Sequence, residues 1–191
     1  MAEQRESRRV RMTKHLMKDA LLELLEQRKL VNISVTAICE AADVHRSTFY
    51  KYYRDPADLL RDLEQDYLDR IPTPQRDEEH WDEEKLLVEN TAFFDYVKQN
   101  ERAFRILFGE SMSNEFVDRL IGFLCSAYAE PSNGDLASYY AFLYVANGTI
   151  GMLREWVTSG FPISSRQIAE MMYRFSVKTL DGEERLPTVR G

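Results

Sequence analysis

The 191-residue sequence contains few cysteines, glycines and prolines, and it has no long apolar run. Cys39 and Cys125 lie 86 positions apart without CxxC spacing, which argues against a disulfide framework or a zinc site. The 8 glycines and 6 prolines exclude a fibrous or low-complexity protein. The longest uncharged stretch, residues 136–153, is interrupted by polar residues and glycines, so it predicts a buried helix and no membrane span. Because the start of the chain is polar, we expect no secretory signal and a cytoplasmic protein.

Motifs of common enzymes are also missing. The sequence has no glycine-rich phosphate loop, no GxSxG and no HExxH, and its three histidines have no partners at metal-ligand spacing. The acidic segment around His80 and Trp81 could collect a hard cation, but a solvated loop is the simpler interpretation. We therefore predict that the protein is not an enzyme and that it has no metal and no cofactor.

Charge is distributed unevenly along the chain. The net charge is -7, yet residues 1–56 hold 11 of the 25 Lys and Arg and only 8 of the 32 Asp and Glu, a local balance of +3 against -10 for the rest. The bases concentrate in residues 5–18 and 46–54. Such a basic region within an acidic protein is typical of a DNA-contacting head on a body that repels DNA.

Apolar residues recur at helical spacing along most of the chain, and no segment alternates as a strand does. The pattern predicts an all-α protein of about nine helices. The first helix has a possible cap at Thr13, and Ser34 can cap the second. Asp55 and Pro56 are typical of the start of the fourth helix. We predict a DNA-binding head over residues 1–56, a connecting helix and acidic linker over 57–83, and an effector-binding and dimerisation domain over 84–191.

Three short helices followed by a longer one, with a tight break at Asp43, indicate a helix-turn-helix. In the third helix, Arg46 can read a guanine and Thr48 can touch a thymine methyl group. At the start of the second helix, Ser34 and Thr36 lie beside free backbone N–H groups that favour a phosphate. From periodicity alone, these residues are equally well explained as the solvated faces of small helices.

The segments Ser34-Val-Thr-Ala-Ile38, Arg46-Ser-Thr-Phe-Tyr50-Lys-Tyr-Tyr53 and Leu59-Leu60 resemble the N-terminal domain of TetR/AcrR-type transcriptional regulators. The resemblance covers about residues 10–71. It implies that Phe49 and Tyr53 are core residues and that the polar residues around them face DNA. The predicted DNA-contacting residues are Thr13, Ser34, Thr36, His45, Arg46, Ser47, Thr48, Tyr50, Lys51 and Tyr52.

Two positions depart from the family pattern. Asp43 stands where the turn usually has glycine, so a left-handed backbone there would depend on an aspartate. Pro56 replaces a lysine that in many members opens the fourth helix and holds a phosphate. Arg54 or the arginine-rich N-terminal arm can substitute for that lysine. Both departures place the DNA affinity of the head in question.

Residues 84–191 resemble the family's variable effector-binding and dimerisation domain more loosely. In the family, the last two long helices pack with those of a second subunit into a four-helix bundle, and Gly148 and Gly151 suit such close packing. An ordinary core helix within one chain is the alternative. The predicted dimer residues are Phe142, Ala146, Thr149, Leu153, Trp156, Met172 and Phe175.

The middle helices are rich in aromatic residues, which can either line an apolar ligand pocket or fill an ordinary core. The predicted pocket residues are Phe93, Phe94, Phe104, Phe108, Phe116 and Tyr128.

The sequence thus predicts a homodimeric, DNA-binding transcriptional regulator. We expect a repressor that a small-molecule effector releases from a palindromic, double-stranded operator, with no membrane partner. The alternative is a protein of the same fold that acts mainly by binding a partner protein, as a co-activator or with a weakened DNA head. An enzymatic function would depend on the aromatic pocket alone.

Overall fold

A computed structural model of the protein describes residues 8–73, 83–109, 115–128 and 136–180. These residues form nine α-helices and a short 3-10 helix over Leu30–Asn32, and no strand occurs among them. The all-α prediction is confirmed. The helices are α1 (Arg8–Leu25), α2 (Val35–Ala41), α3 (Arg46–Tyr52), α4 (Pro56–Leu68), α5 (Glu83–Gln99), α6 (Glu101–Leu107), α7 (Glu115–Tyr128), α8 (Leu136–Thr158) and α9 (Ser165–Leu180).

Several predictions fall outside the described residues. These are the basic arm before Arg8, most of the acidic segment with His80 and Trp81, and the tail after Leu180. None of the helices within the described ranges combines the length and the apolar content that a membrane crossing requires.

The chain divides into two compact units, of which the first contains α1 to α4 and extends to Arg70. In this unit α1 packs against both α2 and α4, and α2 packs against α3. The core is formed by side chains that are completely buried, namely Met17, Leu21, Ile38, Phe49 and Leu59. Burial of these apolar side chains is the main force that holds four short helices together.

Capping hydrogen bonds fix where α2 and α4 begin in the first unit. Ser34 Oγ accepts a 3.1 Å hydrogen bond from the Ala37 N–H, and Asp55 Oδ1 accepts one of 2.8 Å from the Asp58 N–H, so both predicted caps are confirmed. The predicted cap at Thr13 is wrong. Thr13 lies inside α1, where its hydroxyl donates to the Arg9 carbonyl at 2.9 Å, because the helix already extends back to Arg8.

The break between α2 and α3 is a Schellman turn with Asp43 in the left-handed region, at φ 52°. The Val44 N–H donates to the Cys39 carbonyl at 3.0 Å, and the Asp43 N–H donates to the Glu40 carbonyl at 3.4 Å. The backbone expected from a glycine is therefore adopted by an aspartate, and the last carbonyls of α2 are satisfied.

The second unit begins at Ile71 and contains α5 to α9. Its most extensive helix pairing is between α5 and α9, and α8 packs against α7 and α9. A second Schellman turn ends α8 at Gly160, φ 84°, where the Phe161 N–H donates to the Trp156 carbonyl at 2.9 Å. Phe161 packs edge-on against the Trp156 ring, with ring centroids 4.7 Å apart.

Candidate DNA-binding surface

The recognition helix α3 has one buried and one exposed face. Phe49 is completely buried, whereas Tyr50 is 59% exposed. Arg46, Ser47 and Lys51 are exposed as well. The buried Phe49 anchors this helix of seven residues to the core. Its outer face, with the polar side chains, therefore has a fixed orientation. This arrangement is the one that a helix needs to enter a major groove.

The first residue of α3 is joined to α2. Arg46 Nη2 donates a hydrogen bond to Thr36 Oγ1, and both residues line a shallow cleft of about 320 Å³. Glu40 and Asp43 also line this cleft. Burial raises the pKa of the Cys39 thiol beneath it, and the positive charge of Arg46 only partly opposes that rise.

A second group of positive charges surrounds Tyr52 at the end of α3. Lys51 Nζ lies 5.5 Å from the centre of the Tyr52 ring, and Lys14 Nζ from α1 lies 5.9 Å from it. These are cation–π distances. Two cations from two different helices are therefore gathered at one aromatic ring, in reach of the same stretch of a phosphate backbone.

The predicted site did not include an ion cluster around the buried Lys18 that joins α1, α3 and α4. Lys18 is only 5% exposed, and its Nζ lies 2.9 Å from Asp62 Oδ2 and 2.6 Å from Asp66 Oδ2. The Tyr53 hydroxyl donates to the same Asp62 Oδ2 at 2.6 Å. The sequence signal for this cluster is a lysine on an otherwise apolar helix face, together with two aspartates four positions apart on a second helix. The sequence does not pair them, because the aspartates are 44 and 48 positions away from Lys18.

The pKa of Asp62 reflects this cluster. Burial by itself would raise that pKa, but the hydrogen bonds from Lys18 and Tyr53 and the charges of Lys18 and Lys14 outweigh burial and lower it. Asp62 is thus stabilised as a carboxylate, and Lys18 neutralises it inside the first unit.

Lys18, Asp62 and Asp66 also line a cleft of about 430 Å³ between α1 and the end of α4. Its basic side chains are Arg8, Arg11, Lys14, His15, Lys18 and Arg70. Four of the six bases in residues 5–18, namely Arg8, Arg11, Lys14 and Lys18, therefore line one cleft, and Arg70, which was not among the predicted residues, lines it as well.

Arg54, one of the two candidates for replacing the missing lysine, is bound to Asp58. The Arg54 N–H donates to Asp58 Oδ2 at 3.0 Å and its guanidinium to Oδ1 at 3.4 Å. The backbone hydrogen bond from Arg54 is the main reason why the pKa of Asp58 is lowered, with further hydrogen bonds from the Arg54 and Arg61 side chains. One Nη group of Arg54 is thus directed to Asp58, and the guanidinium has further N–H donors with which to hold a phosphate.

The remaining predicted DNA residues lie at the ends of the short helices. Ser34 is exposed and uses its hydroxyl as the cap of α2. His45 is exposed at the N-cap of α3 and makes no side-chain capping bond. Thr48 is half-buried within α3. Among the described residues, no group of three or more His, Cys, Asp or Glu side chains is placed to hold a metal ion.

In the second unit, the predicted pocket residues pack against one another. Phe93, Phe94, Phe104, Phe108 and Phe116 are all at most 3% exposed. They form two groups: the Phe93 and Phe94 rings lie 5.2 Å apart, and the rings of Phe104, Phe108 and Phe116 lie 5.8 to 6.2 Å apart, with most pairs edge to face. The five rings are therefore part of the core of this unit. The side chain of Tyr128 lies outside the described part of the structure.

The predicted dimer residues separate into two groups. Ala146, Leu153 and Trp156 are buried within the single chain, and Trp156 Nε1 donates to the Ile163 carbonyl at 2.9 Å. These three do not lie on a surface that a second chain can cover. Phe175 is 54% exposed, and Thr149 and Met172 are half-buried. The side chain of Phe142 is not among those described.

Most of the second unit matches a known protein family. Residues 90–178 match the TetR family described as "transcriptional regulator C-terminal region". A search of curated protein sequences found no significant match.

Solved structures share the fold over most of their length. A TetR transcriptional regulator from Streptococcus agalactiae 2603V gives a TM-score of 0.66 at 18% identity, with 91% of this chain and 96% of that chain covered. The dihydroxyacetone kinase operon activator DhaS gives 0.61 at 17%, with 88% and 96% covered. NalD, the secondary repressor of the MexAB-OprM multidrug efflux pump in Pseudomonas aeruginosa, gives 0.59 at 16%, with 89% and 97% covered.

A helix-turn-helix head with a polar, basic recognition helix, combined with a regulator-type C-terminal region, defines a DNA-binding transcriptional regulator. The match over residues 90–178 and the fold shared with TetR regulators support the resemblance to this family that residues 34–60 indicated.

Proposed function

We propose that the protein is a homodimeric repressor whose two α3 helices bind the major groove of a palindromic operator. The observation that carries this proposal is the exposed face of α3, with Arg46, Ser47 and Tyr50 directed outward from the buried Phe49. Arg46 reads a guanine through its guanidinium, and Thr48 contacts a neighbouring base. Lys14, Lys51 and the Tyr52 ring between them hold the phosphate backbone.

This division of roles predicts different effects for Arg46 and Lys51. Replacing Arg46 by alanine should cost about 1 to 3 kcal/mol at one base pair and relax specificity there. Replacing Lys51 by alanine should weaken binding to all sequences and reduce the salt slope of the affinity by about one unit. The measurement is fluorescence anisotropy with operator and scrambled duplexes at two salt concentrations. Arg28→Ala, an exposed arginine after α1, is the matched control. Unchanged discrimination in Arg46→Ala would refute the base-reading role.

We further propose that the exposed face of α8 and the adjoining side chains of α9 form the dimer interface. Gly148 and Gly151 are exposed, and no atom of the described residues lies within 4 Å of a Cβ built at either position. Each helical glycine costs about 1 kcal/mol relative to alanine, and packing among the described residues gives no reason for that cost. Close approach of a helix from a second chain explains both glycines. The exposed Tyr144, Met171 and Phe175 supply apolar area for that approach.

Leucine at Gly151 tests this interface. The wild-type chain should sediment as a dimer, and Gly151→Leu should shift it towards monomer, because the added side chain holds the two helices apart. Gly122→Leu on α7 is the matched control, since a Cβ built there also meets nothing within 4 Å. A Gly151→Leu protein that remains a dimer as stable as the control would contradict the proposed interface.

The regulatory part of the proposal is that a small apolar effector binds the second unit and lowers operator affinity. It is supported by the match of residues 90–178 to a regulator C-terminal region and by the aromatic interior of that unit. An effector of this kind acts through its different affinity for the free and the DNA-bound conformations. A compound that releases operator DNA should also raise the melting temperature of the free protein. Compounds that raise this temperature and leave operator affinity unchanged would contradict effector control.

The fold itself does not determine the sign of regulation, because one similar structure is named an activator and another a repressor. Repression is tested with a reporter gene behind the selected operator, whose expression should fall when the protein is supplied. The partner-protein alternative depended on Asp43 and Pro56. Asp43 is accommodated in a complete Schellman turn and so does not favour that alternative. Pro56 begins a capped helix but supplies neither a charge nor an N–H for a phosphate, so the alternative now depends on Pro56.

A further inference from the structure

We propose that Thr36 on α2 is a positioning residue that fixes the direction of Arg46, and that the pair together determines which base is read. This inference rests on the proposed base-reading role of Arg46. It assigns Thr36 a role different from the phosphate contact expected from its place near the start of α2.

The geometry joins the two residues across the helix-turn-helix. Arg46 Nη2 donates to Thr36 Oγ1, so the exposed guanidinium is bound at one end to α2. Both residues line the same cleft with Glu40, Asp43 and Val44. Arg46 itself is exposed, and Thr36 is half-buried, so the acceptor is held more firmly than the donor.

The chemistry of the two side chains suits this arrangement. Threonine is branched at Cβ, which restricts χ1, so Oγ1 is an acceptor with a defined position. Arginine has many rotamers to lose on ordering and five N–H donors in a planar fork. Fixing one Nη group removes part of the ordering cost of DNA binding and leaves the other donors for a guanine edge.

The Thr36 hydroxyl could also donate to a phosphate while it accepts from Arg46. The two roles have different consequences for DNA binding. Loss of a phosphate contact weakens binding to every sequence, since the phosphate backbone does not depend on sequence. Loss of a positioning contact acts through Arg46 and so changes discrimination at one base pair.

Thr36→Val separates these roles, because valine keeps the shape of threonine and removes the acceptor. The full-length dimer would be titrated with the selected operator, with duplexes changed at each half-site base pair in turn, and with a scrambled duplex. We expect Thr36→Val to reduce discrimination about three- to tenfold at the base pair that Arg46→Ala also affects, with scrambled-duplex affinity changed less than twofold. Thr36→Ser, which restores the hydroxyl, should recover most of the discrimination.

A double-mutant cycle completes the test. In the Arg46→Ala background, Thr36→Val should have no further effect on discrimination, because the side chain that it positions is gone. Additive effects of the two substitutions, or equal weakening for all duplexes, would overturn the positioning role and favour the phosphate contact. If Arg46→Ala left discrimination unchanged, the base-reading assignment itself would fail, and the positioning role with it. Thr36→Ala serves as a second variant, and circular dichroism of each protein confirms folding.

Discussion

The Tyr53 hydroxyl donates a 2.6 Å hydrogen bond to Asp62 Oδ2, which ties the C-terminal end of the recognition helix to α4. Lys18 from α1 contacts the same carboxylate oxygen at 2.9 Å. One aspartate therefore joins three helices of the DNA-binding unit, and the orientation of α3 depends on the position of α4. Because α4 is the last helix of this unit, a displacement of α4 would be transmitted through this cluster to the recognition helix.

Tyr53→Phe removes this hydrogen bond and keeps the ring. We expect the free energy of unfolding to fall by about 1 to 3 kcal/mol, the usual range for a hydrogen bond to a charged group. Urea denaturation followed by circular dichroism measures it. Tyr50→Phe is the control, since the Tyr50 side chain is exposed. Equal changes in the two variants would show that the Tyr53 hydroxyl does not stabilise the unit.

Asp62→Asn should make stability less sensitive to acid. Because the folded-state pKa of Asp62 lies below its value of 3.8 in an unfolded chain, the contribution of the carboxylate is complete at neutral pH. It is lost as the pH falls through the folded-state pKa. Denaturation midpoints between pH 6 and pH 2 should therefore fall less steeply in Asp62→Asn than in the wild type, starting from a lower value at pH 6. Parallel curves for the two proteins would contradict the lowered pKa.

Asp43→Gly should stabilise the first unit. Asp43 has a φ of 52°, a region that glycine enters without steric cost, so we expect a gain of about 0.5 to 1 kcal/mol. Asp43→Ala should instead lose stability, since alanine keeps the Cβ and lacks the polar group that helps aspartate there. Thermal unfolding distinguishes the two. A less stable Asp43→Gly protein would mean that the aspartate side chain makes a stabilising contact.

Gly160→Ala should destabilise the second unit by about 1 kcal/mol or more, because φ is 84° at this position. The space around a Cβ at Gly160 is ordinary, with Arg105 Nη2 3.5 Å away, so the backbone is the cause of the loss. The comparison is Gly122→Ala in the middle of α7, which should gain about 0.5 to 1 kcal/mol. If both variants changed the melting temperature in the same direction, the left-handed backbone at Gly160 would not explain the loss of stability.

Much of the first unit could be predicted from local sequence. Ser34 and Asp55 cap their helices through hydrogen bonds to residues three positions further on, and Phe49 and Tyr53 bury one face of α3. Such features depend on short spacings, which periodicity and capping rules describe. Thr13 shows the limit of these rules, because the residues around it do not indicate whether the threonine begins the helix or lies inside it.

The parts that could not be predicted depend on contacts between distant residues. Lys18 meets Asp62 and Asp66 only after α1 and α4 have packed together. Trp156 lies on an apolar stripe that fits an interface or a core equally well, and only the fold places it against Phe94 and Phe161. The exposed Gly148 and Gly151 show the same limit, since their spacing alone does not tell which neighbour comes close.

The most direct test of the proposed function is selection of bound fragments from a random duplex library by the purified, full-length protein. The account predicts a palindromic site whose half-sites are separated by about one helical turn or more, and an affinity that falls steeply between two salt concentrations. The Arg46→Ala protein should lose selection at one base pair of each half-site. A folded dimer that enriches no site, or only a site without two-fold symmetry, would contradict operator binding by two α3 helices.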